Sequence, residues 1–213
     1  GGGGGDFGVS SLSGGGGEMF SLLALGWGVA KVAAVWVGVY AAVLAAAYVF
    51  QRKLQYFPHP GDDLPPVAAL EQAYNGLEEW RARTADGVEV VGYYLPPPER
   101  AKLAWGNKWE GTGPTELGGV TLLMFHGNAG HRGHRLEWAR MLQESLGVGV
   151  VLPDYRGYGG SEGAPSEEGL LMDAEAALAW TRGRAGKAGR VVLYGESIGC
   201  AVSVGLALRD ATG

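Results

Sequence analysis

The sequence predicts an α/β protein with a mostly parallel sheet, an N-terminal antiparallel hairpin and, ahead of both, a transmembrane helix. Three observations carry this. The run from Val32 to Phe50 holds neither a charge nor a proline. Two alternating stretches flank Asp86-Gly87 in EEWRARTADGVEVVGYYLPPP. Beyond residue 119, a short buried-strand pattern, a turn and an amphipathic helix recur three times, the pattern of a parallel sheet covered on both faces.

Composition narrows the function classes. The chain has 213 residues, 46% hydrophobic and 18% charged, enough apolar surface for one ordinary core. A net charge of −5 lacks the Lys and Arg excess that phosphate backbones demand, so nucleic acid is not an expected partner. The single cysteine, Cys200, permits no internal disulfide, and no Asn is followed by the Ser or Thr of a glycosylation acceptor. The chain opens on Gly rather than Met, and no natural stop to a fold closes it, so a fragment at both ends is expected.

Residues 1–18, with two glycine runs, read as a disordered tail. Residues 19–51 read as a transmembrane anchor: Val32 to Phe50 as a helix spans roughly 28 Å, close to the hydrocarbon thickness of about 30 Å. A cleaved signal peptide fits less well, because its apolar core is usually about 7 to 15 residues; a buried helix is the other alternative. Arg52 and Lys53 after the run, against Lys31 before it, lean towards a cytoplasmic C-terminal side of a single-pass protein. Residues 52–78, punctuated by Pro58, Pro60, Pro65 and Pro66, read as a connector with at most a short helix near 66–73. The hairpin turns at Asp86-Gly87, a pair suited to a type I′ turn. Residues 99–119 read as a Gly-rich insertion loop. The three repeats place strands at 120–127, 148–155 and 190–197 and helices near 134–146, 166–182 and 198–209. Ser166, followed by two glutamates, caps the second of these helices.

Two Gly-x-Ser-x-Gly stretches occur, GGSEG at 159–163 and GESIG at 195–199. With 39 glycines in the chain the pattern alone says little, so context separates them. Ser161 lies in a loop. Ser197 closes an apolar strand and opens an apolar helix, the strand-turn-helix setting of a nucleophile elbow. Gly195 and Gly199 then have a steric cause, since side chains there would collide across so sharp a turn. Ser197 is the candidate nucleophile, and the N–H of Ile198 at the helix start is a candidate oxyanion donor. FHGNAG at 125–130 follows the neighbouring strand, where the second donor must lie. Gly127 allows close backbone approach; the Asn128 N–H is the candidate, Ala129 a lesser one. His126 is either a general base or, the favoured reading, a loop-ordering hydrogen bonder. Asp154 ends the middle strand, about 10 Å from the serine's strand if one strand intervenes, and is expected to order the RGYGGSEG loop. His131 and His134 have no evident carboxylate or third ligand, so no metal site is expected. Cys200 reads as a small buried residue. Neither GxGxxG after a strand nor GxxxxGK[ST] occurs, and no cofactor is expected.

FHGNAG, DYRGYGGSEGAPSEEGL and LYGESIGCAV, in this order behind one apolar anchor, resemble the membrane-anchored alpha/beta hydrolases of the bud-emergence type. The resemblance covers residues 79–213 and the anchor. It implies an alpha/beta hydrolase fold, a C-terminally truncated domain ending just after the elbow helix, and acyl transfer from an ester or thioester to water. Ser197 would be the nucleophile, with Asn128 and Ile198 forming the oxyanion hole. Triads of this fold run Ser, acid, His along the chain, yet only Asp210 is acidic after Ser197 and no histidine follows. The expectation is therefore that this polypeptide is inactive by itself, with an apolar sheet edge exposed, and that the intact protein is a membrane-anchored serine hydrolase. The alternative is a non-catalytic membrane adaptor with a hydrolase-like fold.

Overall fold

The computed structural model describes residues 15–74, 76–98, 119–186 and 189–212. The expected tail at 1–18 and the insertion loop at 99–119 lie almost wholly outside the described residues. The chain divides into two units, Gly1–Gln51 and Arg52–Gly213.

The described residues of the first unit are helical. Helix α1 covers Gly15–Gln55, so it starts inside the tail expected at 1–18 and runs past the boundary expected at residue 51. Within Ser21–Gln55 an 18-residue window has a mean hydropathy of 2.1 and none of that window is buried, unlike the core helix of a soluble protein. Length and composition fit a membrane span or a signal sequence.

The second unit holds the sheet. Its strands are β2 (Glu78–Arg83), β3 (Glu89–Leu95), β4 (Val120–Phe125), β6 (Gly149–Pro153) and β7 (Arg190–Gly195), in the order β2-β3-β6-β4-β7. The β2-β3 and β3-β6 pairs are antiparallel, whereas β6-β4 and β4-β7 are parallel, with Leu123 opposite Val151 on one side and Leu193 on the other. One strand thus separates Asp154's strand from Ser197's, as expected.

The near-continuous apolar strands β3, β4 and β6 are buried on both faces. On one, Trp80, Tyr94, Leu123, Phe125 and Val151 pack against α4 (Glu167–Ala185) and α5 (Ile198–Thr212). On the other, Tyr93, Leu122, Met124 and Val150 meet α2 (Val67–Ala73) and α3 (Leu136–Leu146). Trp80 stacks on Trp180 at 4.8 Å, with Gly92 opposite it across the hairpin. A Cβ on Gly92 would stand 2.3 Å from that indole, so glycine there is a packing requirement. Ser166 caps α4 as expected, accepting the N–H of Gly169 at 3.1 Å. Gly147, at φ +69°, ends α3 in the left-handed conformation that glycine supplies.

Three local expectations are revised. The hairpin turn is not type I′: Gly87 alone takes a positive φ, +85°, while Gly87 N–H bonds Thr84 O and Thr84 N–H bonds Val88 O. That is a three-residue loop closed by a left-handed glycine. Asp86 accepts Thr84 Oγ1–H and both terminal nitrogens of Arg156. The helix expected from 134 begins as a 3-10 turn, Arg132–Arg135, because Arg132 is held by Asp154. The connector carries a two-residue strand, β1 (Phe57–Pro58), parallel to β5 (Ala129–Gly130). Strand β7 stands at the sheet edge, with Val192 and, on α5, Val204 and Leu208 exposed.

Candidate active site

Strand β7 delivers Ser197 to the carboxyl end of the sheet. Glu196 N–H still bonds Phe125 O at 3.0 Å, and one residue later the chain reverses: Ser197 has φ +54°. Among the described residues it is the one non-glycine with positive φ, a conformation that costs of order 1–3 kcal/mol and persists only where the surroundings impose it. Gly199 N–H bonds Glu196 O and Cys200 N–H bonds Ser197 O, which turns the chain directly into α5. A Cβ on Gly195 would lie 2.4 Å from the Gly199 carbonyl, and one on Gly199 would lie 2.3 Å from Phe125 O. The steric reading of both glycines holds, with the second collision against the end of β4. Ile198 is the first residue of α5, so its N–H belongs to the turn without an intrahelical acceptor.

The loop after β4 lies beside the elbow. His126 is fully buried; its Nδ1 donates to Gly127 O at 2.7 Å, and its Nε2 stands 3.3 Å from Asp154 Oδ1 without the alignment of a hydrogen bond. Tyr155 Oη–H holds the His126 carbonyl at 2.9 Å. These contacts favour the loop-ordering role over that of general base. The Asn128 side chain is held by the connector and a tyrosine: Nδ2 donates to Gln55 O, and Oδ1 accepts Phe57 N–H at 3.4 Å and Tyr158 Oη–H at 3.1 Å. Tyr158 also donates to Asn128 O, while Ala129 pairs with Phe57. The connector partners, Gln55 and Phe57, were not visible in the sequence, because they come from a proline-broken stretch with no strand pattern.

Asp154 is wholly buried and organises what lies beneath the loop. It accepts the Arg132 N–H at 2.6 Å and Arg132 Nη1–H, and the same Nη1 donates to Gly159 O. Burial alone would push its carboxyl up; His126 and Arg132 outweigh burial and hold it below the usual range. A Cβ on Gly159 would fall within 1.8 Å of Asp154 Oδ2, which explains that glycine in RGYGGSEG. Ser161, the other Gly-x-Ser-x-Gly serine, is buried: Oγ accepts Val91 N–H at 3.0 Å and donates to Asp154 O at 3.2 Å. It ties the loop to β3. Cys200 is exposed rather than buried, since the start of α5 lies along the open edge.

The carboxylate missing beside His131 and His134 comes from the connector. His131 Nε2 and His134 Nε2 lie 2.7 and 3.1 Å from the two oxygens of Asp63, and His59 Nδ1 is 3.6 Å from Oδ1. Ligand atoms of His59, Asp63 and His131 fall within 4.8 Å of one another. Their hydrogen bonds define the cluster differently. Gly133 N–H occupies Nδ1 of His131 and Gly61 N–H occupies Nδ1 of His59, so the neutral His131 ring turns an N–H towards Asp63 rather than a lone pair. The cluster is a clamp fastening the connector to the loop after β5.

A family model described as alpha/beta hydrolase fold matches residues 120–211. An alpha/beta hydrolase structure from Vibrio vulnificus superposes with a TM-score of 0.52 at 21% identity, covering 72% of this chain and 48% of that one. The chain carries the alpha/beta hydrolase fold, as a partial-length domain. The chain is 33% identical over 173 residues to the protein bem46 of Schizosaccharomyces pombe, covering 78% of this chain and 52% of bem46. It is 44% identical over 90 residues to the lysophosphatidylserine lipase ABHD12 of Gallus gallus, covering 41% of this chain and 23% of ABHD12. The chain spans about half the length of bem46 and of a Mycobacterium tuberculosis relative.

Proposed function

We propose that this chain is the nucleophile-bearing half of a membrane-anchored serine hydrolase acting on esters or thioesters of acyl groups. The observation that carries this is the positive φ of Ser197 at the end of β7, enforced by Gly195 and Gly199. Among the described residues no hydrogen bond to Ser197 Oγ accounts for such strain on a serine; an exposed Oγ at a helix N-terminus does. Relatives that include a lysophosphatidylserine lipase support ester substrates.

In this reading Ser197 Oγ attacks the acyl carbonyl and gives up its proton to a histidine. The N–H groups of Ile198 and Asn128 stabilise the resulting oxyanion. The alcohol or thiol leaves with the proton, and water then hydrolyses the acyl-enzyme to a carboxylic acid. Acid and histidine follow the serine in this fold. In this reading both belong to further length of the kind that the relatives possess. Helix α1 is the single-pass anchor, and Arg52 and Lys53 at its end favour a cytoplasmic catalytic side.

The test is labelling of the whole protein with a fluorophosphonate probe. Ser197→Ala should abolish labelling and Ser161→Ala, if folded, should retain it. Labelling that survives Ser197→Ala defeats the proposal, and a parent protein that is never labelled points to a non-catalytic adaptor.

A further inference from the structure

Arg135 has no part in the reaction above, yet its guanidinium joins the two segments that reaction needs. Nε and Nη2 donate to Glu196 Oε2 and Oε1 at 3.1 and 2.8 Å, a two-pronged grip on the residue preceding Ser197. Nη1 donates to Ala129 O at 3.0 Å, one residue past Asn128. A single planar group therefore spans from the elbow to the oxyanion loop.

Two glycines of the loop make room for it. A Cβ on Gly127 would meet Glu196 Oε1 at 3.0 Å and Arg135 Nη2 at 3.4 Å. On Gly130, whose φ is +84°, a Cβ would stand 2.7 Å from Arg135 Nη1. The loop is thus shaped to the ion pair as well as to its own turn. The Arg135 side chain is largely enclosed, while Glu196 is nearly half exposed at the rim. Hydrogen bonding from Arg135 leads the influences that hold the Glu196 carboxyl below the usual range, so that carboxyl is ionised at neutral pH.

We propose that Arg135 is a positioning residue: by tying Glu196 to Ala129 it fixes the separation between Ser197 Oγ and the Asn128 N–H. This rests on the reading of Ser197 as nucleophile. An oxyanion donor acts only if it lies about 2.7–3.1 Å from where the charge develops, so a loop free to drift loses rate before it loses binding. Lysine preserves the charge at 135 but cannot grip Glu196 with two donors and reach Ala129 with a third.

The experiment uses the whole protein, p-nitrophenyl butyrate as substrate and the fluorophosphonate probe as a site check. Arg135→Lys and Glu196→Gln should each lower kcat by roughly 10- to 100-fold. KM and melting temperature should change little, and the double variant should be no worse than Arg135→Lys alone. Because Glu196 lies at the rim, its variant reads the same contact should Arg135→Lys fail to fold. If the parent is labelled at Ser197 but both variants keep its kcat, or lose kcat only in step with melting temperature, the positioning role is overturned and the nucleophile reading stands. A parent unlabelled at Ser197 overturns both.

Discussion

The side-chain amide of Asn128 donates to the backbone carbonyl of Gln55, the last residue of helix α1. Its carbonyl oxygen takes Phe57 N–H, so one side chain of the candidate oxyanion loop holds both sides of the helix exit. Asn128→Ala keeps the backbone N–H but removes these bonds, each worth about 1 kcal/mol. Trypsin should then cut after Arg52 or Lys53 several-fold faster in native conditions. An unchanged cleavage rate would mean that the β1-β5 pairing alone fastens the exit.

Asp154→Ala should be the most damaging of the single changes considered. It leaves Arg132 buried without its main counter-charge and strips the carboxylate facing His126. Breaking one side of a buried pair costs about 3–5 kcal/mol, read as a lowered urea midpoint. A loss under about 1 kcal/mol, the range of exposed pairs, would place the loop's support elsewhere.

Gly199→Ala sets a methyl 2.3 Å from Phe125 O, a backbone atom that can retreat only by moving β4. Overpacking of this kind costs about 1–3 kcal/mol, measurable by chemical denaturation. Gly183→Ala on α4, where a Cβ meets nothing within 4 Å, is the matched control and should be neutral or stabilising.

Acid should loosen the connector in two stages. Burial is the leading influence on His131 and holds its pKa below 6.5, despite the opposing hydrogen bond to Asp63. A depressed folded pKa means that the unfolded chain takes the proton first, so stability falls as pH drops below about 6.5. Asp63, held at about 2 chiefly by the His131 hydrogen bond, with help from His134, contributes stability above its ordinary 3.8. That contribution is lost as pH falls from about 4 to 2. Melting temperatures at pH 7.5 and 5.5 should separate for the parent and converge for His131→Gln; equal slopes in both would remove His131 from the account.

Local physics made the elbow legible. The collisions at Gly195 and Gly199 follow from a turn of a few residues, and alternation of apolar strands with helices exposed the parallel sheet. The company kept by the oxyanion loop was not legible, because Asn128 and Phe57 are 71 positions apart and nothing in either segment announces the other. His131 and His134 were visible as a pair, but Asp63 reaches them only through the fold. Cys200 misled for a related reason: an apolar helix implies burial only where something covers it.

The short ladder between β1 and β5 bears on where a soluble version of this domain should be cut. A gene trimmed to the first long strand, at Glu78, would look complete by its sheet, yet would discard the Tyr56 anchor in the core, the partners of Asn128 and the Asp63 clamp. The natural start for recombinant work is Arg52, where the compact unit itself begins.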